Sequence, residues 1–312
     1  MNDKLKYIFS IDTKTTNRII IYILGIRIRF LKKGMNELSK EYQNLDCPVT
    51  EIPKATGILR KAQLANLKML EIFDNICKEN SIEYWIDFGN LLGAVRHKGF
   101  IPWDDDIDVS MCRNDYEKFY KLFKNGIDNF NDLYLEFNNN GKDKCFLKVL
   151  HKKLPNIAID IFPYDFYYKK TDDNEKIELS KLIDKIINRQ IYKFLYPFFI
   201  KNTNGIRKRF FKITHNEILE NQSVDISSKP SLFYGIDYPH RHKNKVFDYE
   251  DIFPLKTISY EDKNFPCPNN PEKVLSVLFG NYMELPNNCY PRHIGTGENK
   301  EFEKLLDKFI TE

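Results

Sequence analysis

The sequence predicts a mixed α/β protein in which a small mixed β-sheet is flanked by helices. Apolar residues make up 42% of the 312 residues and charged residues 29%, as in ordinary globular proteins. Short apolar runs of period two alternate with longer segments in which apolar residues recur every three or four positions. We expect an N-terminal extension over 1–50 with a β-hairpin and a loop, a main domain over 51–312, and a helical insertion at about 171–222.

The elements are expected in a definite order along the chain. Residues 16–33 alternate arginines with apolar residues around Gly25, which predicts a β-hairpin, and residues 36–55 look irregular. The strongest helical pattern runs over 57–79. The remaining expected elements are a strand at 84–86, a short helix at 89–96, a strand at 107–111, a helix at 115–124, strands at 133–137, 146–151 and 157–162, a helical region over 171–220, a loop-rich region over 223–270, and helices at 270–279 and 298–310.

The net charge of +4 hides an uneven distribution along the chain. Residues 1–35 carry +6 and residues 181–216 carry +8, so the rest of the chain carries −10. The small net charge gives no argument for nucleic-acid binding. The second basic stretch also contains seven aromatic residues. That composition suits either a solvated helix face over an aromatic core or contact with an anionic membrane surface.

The N-terminus has no secretory signal, and no apolar run reaches the roughly 20 residues that a membrane span needs. The six cysteines form no CxxC pair and no zinc-type spacing, which favours free thiols in a reducing compartment. We therefore expect a cytoplasmic protein. Peripheral contact with the inner face of the cytoplasmic membrane is left open.

The most informative segment holds four aspartates within five positions. Asp106 and Asp108 flank one isoleucine, so a strand would place both carboxylates on one face. Asp160 stands alone in an apolar run, where an unpaired charge costs several kcal/mol. Grouped carboxylates repel one another unless they bind a cation, and oxygen ligands suit Mg²⁺ or Mn²⁺. We predict a metal site of Asp106, Asp108 and Asp160, whereas Asp104 and Asp105 resemble a solvated turn or helix cap.

A glycine and several cations precede the acidic segment. Gly89 before a helix start would let backbone N–H groups approach a phosphate. Arg96 and His97 would add positive charge, although an ordinary solvated turn is an equal alternative. Two carboxylates on one strand and a third on its neighbour are typical of nucleotidyltransferase-type sites, where metals bridge nucleotide phosphates.

These residues carry a specific resemblance to a known family. Residues 89–109 resemble the signature of the LicD family, which is similar in turn to fukutin and fukutin-related protein. Residues 160–165 resemble its second motif, and residues 280–286, followed by Arg292 and His293, resemble its C-terminal motif. The three motifs occur in the family's order, and the resemblance implies a nucleotidyltransferase fold over roughly residues 57–295.

The resemblance also implies an activity. It implies transfer of a phospho-alcohol, typically phosphocholine from CDP-choline, to a hydroxyl of a cell-surface glycan of the lipopolysaccharide, capsule or teichoic-acid type. Ribitol phosphate or glycerol phosphate from the corresponding CDP-alcohol is the nearest alternative. Asp106 and Asp108 match the family's metal-binding aspartates and Asp160 its third carboxylate, while Asn90 replaces the usual Thr or Ser. The donor would then be held by Gly89, Asn90, Arg96, His97, Lys148, Arg292 and His293.

The implied partners are a CDP-alcohol donor and a glycan or lipid-linked glycan acceptor, with no nucleic acid. In the expected mechanism Asp160 accepts the proton of the attacking hydroxyl. A choline group would need an aromatic wall, for which Trp85, Trp103, Tyr164 and Phe166 are candidates. Two other functions remain open: a metal-dependent glycosyltransferase of the DxD type that uses a nucleotide-sugar, and a non-catalytic scaffold of a glycan-assembly complex.

Overall fold

The computed structural model describes residues 9–12, 18–23, 26–31, 35–124, 132–138, 146–167, 170–188, 226–235, 245–294 and 299–312. Its helices are α1 (Met35–Gln43), α2 (Gly57–Glu79), α3 (Phe88–His97), α4 (Arg113–Lys124), α5 (Asp173–Asn188), α6 (Tyr249–Ile252), α7 (Pro271–Phe279) and α8 (Lys300–Thr311). Two short 3₁₀ turns lie at Val49–Glu51 and Ile226–Ser228. None of the helices in the described part of the chain combines the length and apolar composition that crossing a bilayer requires.

The strands of the described residues form three separate sheets. They are β1 (Phe9–Asp12), β2 (Arg18–Ile23), β3 (Ile26–Leu31), β4 (Trp85–Ile86), β5 (Ile107–Cys112), β6 (Leu133–Asn138), β7 (Phe146–His151), β8 (Leu154–Phe166), β9 (Leu232–Tyr234), β10 (Val246–Phe247), β11 (Lys256–Tyr260) and β12 (Lys263–Cys267). The main sheet has the order β10-β9-β8-β5-β4, and β7 joins it through β8 and β6 through β7. Strands β5 and β8 are parallel and the other pairs antiparallel, so the sheet is mixed as predicted.

Strand β8 organises the main sheet because it is long enough to pair with three strands. It pairs with β5 along one side, and with β7 and then β9 along the other. Helix α2 packs against β8 and against α8, and α4 packs against β5 and β8. The apolar side chains of these elements, together with fully buried Trp85 and Phe119, form the core. The predicted class of a small mixed sheet flanked by helices is confirmed.

Local patterns located most of these elements well. The helix predicted over 57–79 is α2 with those bounds, and the strands predicted at 107–111 and 146–151 are β5 and β7. The predicted hairpin around Gly25 is present as β2 and β3, with the additional strand β1 paired to β2. Regular period-two and period-3.6 patterns therefore identified the elements whose buried face is continuous.

Two regions differ from the sequence prediction. Residues 36–55 were expected to be irregular, yet residues 36–43 belong to helix α1. Contacts with distant residues stabilise this helix: the Ser39 hydroxyl accepts a hydrogen bond from the Cys289 backbone N–H, and Tyr42 packs on Trp103. The region 223–270 was expected to be loop-rich, yet it contains the hairpin of β11 and β12. Pro266 is tolerated in that hairpin because a two-stranded sheet leaves outward-facing backbone positions that need no N–H donor.

Other expectations fall partly outside the described residues. The helical region expected over 171–220 is described as α5 up to Asn188, and residues 189–225 lie outside the description. The aromatic-rich basic stretch 181–216 lies mostly there as well. The domain boundary expected near residue 50 stays a prediction.

A buried carboxylate fixes the start of α3. Asp87 is fully buried and accepts a hydrogen bond from the Phe88 backbone N–H at 2.8 Å. Its Oδ2 also accepts from Ser110 Oγ at 2.6 Å, Tyr234 OH at 3.0 Å and Tyr164 OH at 3.1 Å. Burial raises the pKa of Asp87, and these donors oppose the rise. One side chain therefore joins β5, β8 and β9 to the helix that leads towards the acidic segment.

Candidate active site

The pairing of neighbouring strands brings two of the predicted aspartates together. Asp108 on β5 stands directly beside Asp160 on β8 in the parallel register. Lys148 on β7 is the antiparallel partner of Asp160, and its Nζ lies 2.8 Å from Asp160 Oδ1. Three strands thus place a carboxylate, a carboxylate and an ammonium group in one row across the sheet. Asp106 lies just before β5, outside the strand in which the alternation placed it, and adds a third acid.

The acidic groups are close enough to perturb one another. Burial raises the pKa of Asp108 well above its usual value, and the charges of Asp106 and Asp160 raise it further. Burial also raises the pKa of Asp160, against the opposing effect of Lys148. Buried carboxylates that repel each other are stabilised by a cation among them. Their oxygen donors suit Mg²⁺ or Mn²⁺, so the residues present fit the metal that the sequence implied.

Asp104 belongs to this acidic group and is not the solvated turn residue that the sequence suggested. It is half-buried and hydrogen bonds the side chain of Asp106. Burial raises its pKa well above the usual value, and the neighbouring charges of Asp106 and Asp105 add to the rise. A side chain on Gly89 would collide with Asp104 Oδ2. A residue larger than glycine at position 89 would therefore require the Asp104 carboxylate to shift.

The prediction that Asp105 lies in a solvated turn or helix cap is also wrong. Asp105 is buried, with 1% of its surface exposed, and it anchors another segment of the chain. Its two oxygens accept the backbone N–H groups of Arg292, His293 and Ile294 at 3.0, 2.7 and 2.6 Å. Burial opposes ionisation of Asp105, but the His293 ring and these N–H groups lower its pKa. The aspartate thus ties the acidic segment to a part of the chain 187 residues away.

This anchor brings the C-terminal motif into the site. His293 Nδ1 lies 3.2 Å from Asp105 Oδ1 and 3.4 Å from Asp106 Oδ2. Burial works against a charge on His293, yet the carboxylates of Asp106 and Asp105 raise its pKa to about 9. Burial likewise opposes the charge on Arg292, but Asp104, Asp106 and Asp108 raise the pKa of its guanidinium. Two cationic side chains therefore face the acidic group, and their assignment to the donor stays a prediction.

The groups that converge most closely differ from the predicted ligand set. Among the described residues, only Asp105, Asp106 and His293 have ligand atoms that all lie within 4.8 Å of one another. Both oxygens of Asp105 already accept backbone hydrogen bonds, which leaves Asp106 as the freer carboxylate of the three. Asp108 and Asp160 lie near Asp106, but their carboxylate oxygens do not belong to this group of ligand atoms within 4.8 Å of one another. The predicted ligand set of Asp106, Asp108 and Asp160 stays a prediction.

Two predicted phosphate-binding cations are directed elsewhere. Arg96 is buried, and its Nη1 donates to the Tyr282 carbonyl at 2.8 Å. Its Nε donates to His97 Nε2 at 2.9 Å. Burial, helped by the adjacent guanidinium, lowers the pKa of His97 to about 3. His97 is therefore neutral at physiological pH and does not supply the positive charge that the sequence suggested. The pair instead fastens α3 to the C-terminal segment.

The aromatic wall expected for choline is not formed by most of its candidates. Trp85 and Tyr164 are fully buried and pack against each other in the core, with ring centroids 5.0 Å apart. Trp103 is buried between Tyr42 and the Arg96 guanidinium, which lies 5.9 Å from its ring centroid. Phe166 is half-buried. These aromatic residues serve mainly as core, which sequence alone does not distinguish from a ligand wall.

The turn of the β11–β12 hairpin braces the segment that leads to the aspartates. Glu261 at this turn accepts the Phe100 backbone N–H, and its own N–H donates to the Lys98 carbonyl at 2.8 Å. Its carboxylate pairs with the Arg60 guanidinium at 2.8 and 2.9 Å and with Lys54 Nζ at 2.6 Å. Although burial opposes ionisation, Arg60 and Lys54 lower the pKa of Glu261 to about 2.

Replacing Glu261 with glutamine removes the charge that pairs with Arg60 and Lys54, and it is expected to destabilise the protein by about 1–3 kcal/mol at pH 7. The expected loss is limited because Lys54 is exposed and its contribution is screened. Since the pKa of Glu261 is depressed by folding, its stabilisation is present above the ordinary carboxyl pKa and is lost as the pH falls towards 2. The melting temperatures of wild type and Glu261→Gln should therefore differ at pH 7 and approach each other at pH 3. An equal difference at both pH values would contradict this reading.

The fold and the grouped acids define a class of protein. A mixed sheet that presents aspartates from neighbouring parallel strands, faced by cationic side chains, is typical of nucleotidyltransferase domains. Residues 81–198 match the model of the LicD/FKTN/FKRP nucleotidyltransferase domain. The resemblance is thereby confirmed, and the match covers the first two motifs, at 89–109 and 160–165.

Individual relatives match parts of the chain. The chain is 49% identical over 65 residues to the lipopolysaccharide cholinephosphotransferase LicD of Haemophilus influenzae, covering 21% of this chain and 24% of that protein. It is 31% identical over 148 residues to an uncharacterized protein of Rickettsia typhi, covering 45% of each chain. It is 47% identical over 34 residues to the human ribitol 5-phosphate transferase FKRP, covering 11% of this chain and 7% of that protein. The matched segments span less than half the length of each relative.

Proposed function

We propose that this protein is a metal-dependent phosphotransferase that moves a phospho-alcohol from a CDP-linked donor to a hydroxyl of a cell-surface glycan. The observation that carries the proposal is the row of Asp108, Asp160 and Lys148 across three strands, with Asp106 beside it. Carboxylates placed this way are suited to hold a divalent cation against phosphate groups. The family and its phosphotransferase members support the same reaction class.

The chain's own residues divide the work in this proposal. Asp106, Asp108 and Asp160 would hold a divalent cation, which would neutralise charge on the donor phosphates and on the transferred group. Arg292 and His293 face the same acids and are suited to hold the donor phosphates. Lys148, already paired with Asp160, keeps a further positive charge at the site.

The proposed reaction is a single displacement at phosphorus. The oxygen of the acceptor hydroxyl forms a bond to the phosphorus that bears the alcohol, and the bond from that phosphorus to the bridging oxygen breaks. CMP leaves with the bonding electrons, and the hydroxyl proton passes to a carboxylate, for which Asp160 is our candidate. The products are CMP and a glycan that carries the phospho-alcohol.

Phosphocholine from CDP-choline is the first candidate for the transferred group. The cholinephosphotransferase LicD is 49% identical over 65 residues, whereas the segment shared with FKRP is 34 residues long. A specific observation keeps polyol phosphates as the second candidate. Trp85, Trp103 and Tyr164 are committed to the core and to Arg96, so they do not offer a free aromatic face for a quaternary ammonium group. Ribitol phosphate or glycerol phosphate would need hydrogen-bonding groups in place of such a face.

A donor screen tests the proposed function. Purified protein is incubated with CDP-choline, CDP-ribitol, CDP-glycerol and a set of UDP-sugars, each with Mg²⁺, with Mn²⁺ or with EDTA, and released nucleotide is measured. We expect CMP from one CDP-alcohol, and only with metal. Release of UDP would favour the DxD glycosyltransferase. Absence of metal-dependent nucleotide binding by calorimetry would favour the scaffold.

The acceptor and its location are part of the same proposal. A lipid-linked glycan at the inner face of the cytoplasmic membrane would suit a protein whose sequence carries basic stretches of +6 and +8. Sedimentation with liposomes that contain or lack anionic lipid measures this contact. Binding that requires anionic lipid and weakens with salt is the expected result.

A further inference from the structure

The backbone of the acidic segment is held by three side-chain amides. Gln63 Nε2 donates to the Asp104 carbonyl at 2.9 Å, and Asn66 Nδ2 donates to the Asp105 carbonyl at 3.0 Å. Asn90 Nδ2 donates to the Asp106 carbonyl at 3.3 Å. Three consecutive carbonyl groups therefore each receive one amide. We call Gln63, Asn66 and Asn90 the amide clamp.

Asn90 is the most fully committed member of the clamp. Its Oδ1 accepts a hydrogen bond from the Asp108 backbone N–H at 2.5 Å. Together with the bond to the Asp106 carbonyl, Asn90 therefore binds the backbone on both sides of Ile107. Its Nδ2 also donates to the Tyr260 hydroxyl at 2.9 Å. Both amide protons and the carbonyl oxygen are thus engaged within the protein. The sequence had assigned Asn90 to a donor phosphate, and the structure instead turns its side chain towards the acidic segment.

Helix α2 supplies the other two amides from one face. Gln63 and Asn66 are three residues apart and therefore neighbours on the helix surface. Their side chains are almost fully buried, with 1% and 0% of the residue surface exposed, and Asn90 is exposed by 1%. Burial of three amides is costly unless they are hydrogen bonded. Each NH2 group donates to a carbonyl of the acidic segment, whereas Asn66 Oδ1 is buried without a hydrogen-bond partner among the described residues.

The neutrality of these groups is suited to a site that takes up a cation. A lysine or arginine at the same positions would also satisfy the carbonyl groups, but its charge would pair with the nearby carboxylates and oppose a divalent ion. An apolar side chain would leave the carbonyl groups buried without a donor. An amide fixes the backbone while leaving the negative charge of Asp104, Asp106 and Asp108 available.

We propose that the amide clamp holds the Asp104–Asp108 backbone in its cation-binding conformation before the cation arrives. This inference rests on the proposed metal-dependent function and assigns Gln63, Asn66 and Asn90 as positioning residues. Groups that orient metal ligands from behind commonly affect metal affinity by about 10- to 100-fold. The clamp should therefore act on metal affinity and not on donor affinity once the metal is bound.

The test is a titration with Mn²⁺ in the absence of any donor, with free Mn²⁺ followed by electron paramagnetic resonance. Asn90→Leu and Asn66→Leu are expected to weaken Mn²⁺ binding about tenfold each. Asn269→Leu is the matched control, because the Asn269 amide also donates to a backbone carbonyl, that of Glu250 at 2.8 Å, away from the site. The control should bind Mn²⁺ like wild type.

Further measurements separate positioning from other roles. Tyr260→Phe removes one partner of Asn90 without touching the acidic segment, so it should weaken Mn²⁺ binding by a smaller factor, and it serves if Asn90→Leu does not fold. At saturating Mn²⁺ the KM for the donor should stay within about twofold of wild type, since the clamp does not touch the donor. A higher donor KM with unchanged Mn²⁺ affinity would show that Asn90 contacts phosphate, which overturns the proposal.

Failure of this inference is distinguishable from failure of the proposed function. If wild type binds Mn²⁺ and releases CMP while Asn66→Leu and Tyr260→Phe retain wild-type Mn²⁺ affinity, the clamp alone is refuted. If wild type itself binds no Mn²⁺, the metal-dependent function is refuted and the clamp with it.

Discussion

Replacing Asp108 with asparagine is expected to abolish metal-dependent release of CMP while leaving the protein folded. Asp108 stands beside Asp160 in the strand register and two residues after Asp106; burial raises its pKa, and the charges of Asp106 and Asp160 raise it further. Asparagine keeps the shape but removes the charge that a divalent ion would neutralise. Loss of such an ion's contribution is worth several kcal/mol in the transition state, so turnover should fall by about a thousandfold or more.

The stability of the same variant provides the internal control. Without metal, Asp108→Asn should melt at or above the wild-type temperature, because one of several repelling charges has been removed. Added Mn²⁺ should raise the melting temperature of wild type and not that of the variant. Asp262→Asn, at a side chain that is 74% exposed, should behave like wild type in both measurements. Normal turnover by Asp108→Asn would remove Asp108 from the metal site.

Sequence patterns predicted the acidic group because the spacing of its aspartates is visible within short segments of the sequence. The alternation through Asp106 and Asp108 fixes which carboxylates share a face, and a lone charge in an apolar run identifies Asp160 as a residue that needs a partner. The parallel pairing of β5 and β8 then places Asp108 beside Asp160. That pairing was expected from the chemistry of the carboxylates and not from any pattern of register. Helix α2 was equally predictable, because its apolar stripe is continuous over 57–79.

Other parts of the site were not predictable because their causes are distant in sequence. Asp105 looks like its acidic neighbours, and only the fold shows that its partners are backbone N–H groups 187 to 189 residues away. Gln63 and Asn66 looked like ordinary polar residues on a helix, although both are buried. Polar residues within an otherwise buried helix face were the available signal.

Replacing Asp105 with alanine is expected to have the largest effect on stability, about 3–5 kcal/mol. Three backbone N–H groups, those of Arg292, His293 and Ile294, would lose their common acceptor in a buried place. Chemical denaturation followed by fluorescence measures the loss. Asp105→Asn keeps one carbonyl oxygen and should recover part of the stability, whereas an alanine variant as stable as wild type would show that the C-terminal segment is held by other contacts.

The same variant tests how the site is assembled. Asp105 is saturated by backbone donors, so it contributes position and not a free ligand, whereas Arg292 and His293 owe their place at the acids to it. Asp105→Asn, where it remains folded, should therefore lose turnover mainly through a higher KM for the donor, with Mn²⁺ affinity changed less. Asp108→Asn should do the opposite. If both variants lost Mn²⁺ affinity equally, Asp105 would itself be a ligand, and the close group formed by Asp105, Asp106 and His293 would be the metal site.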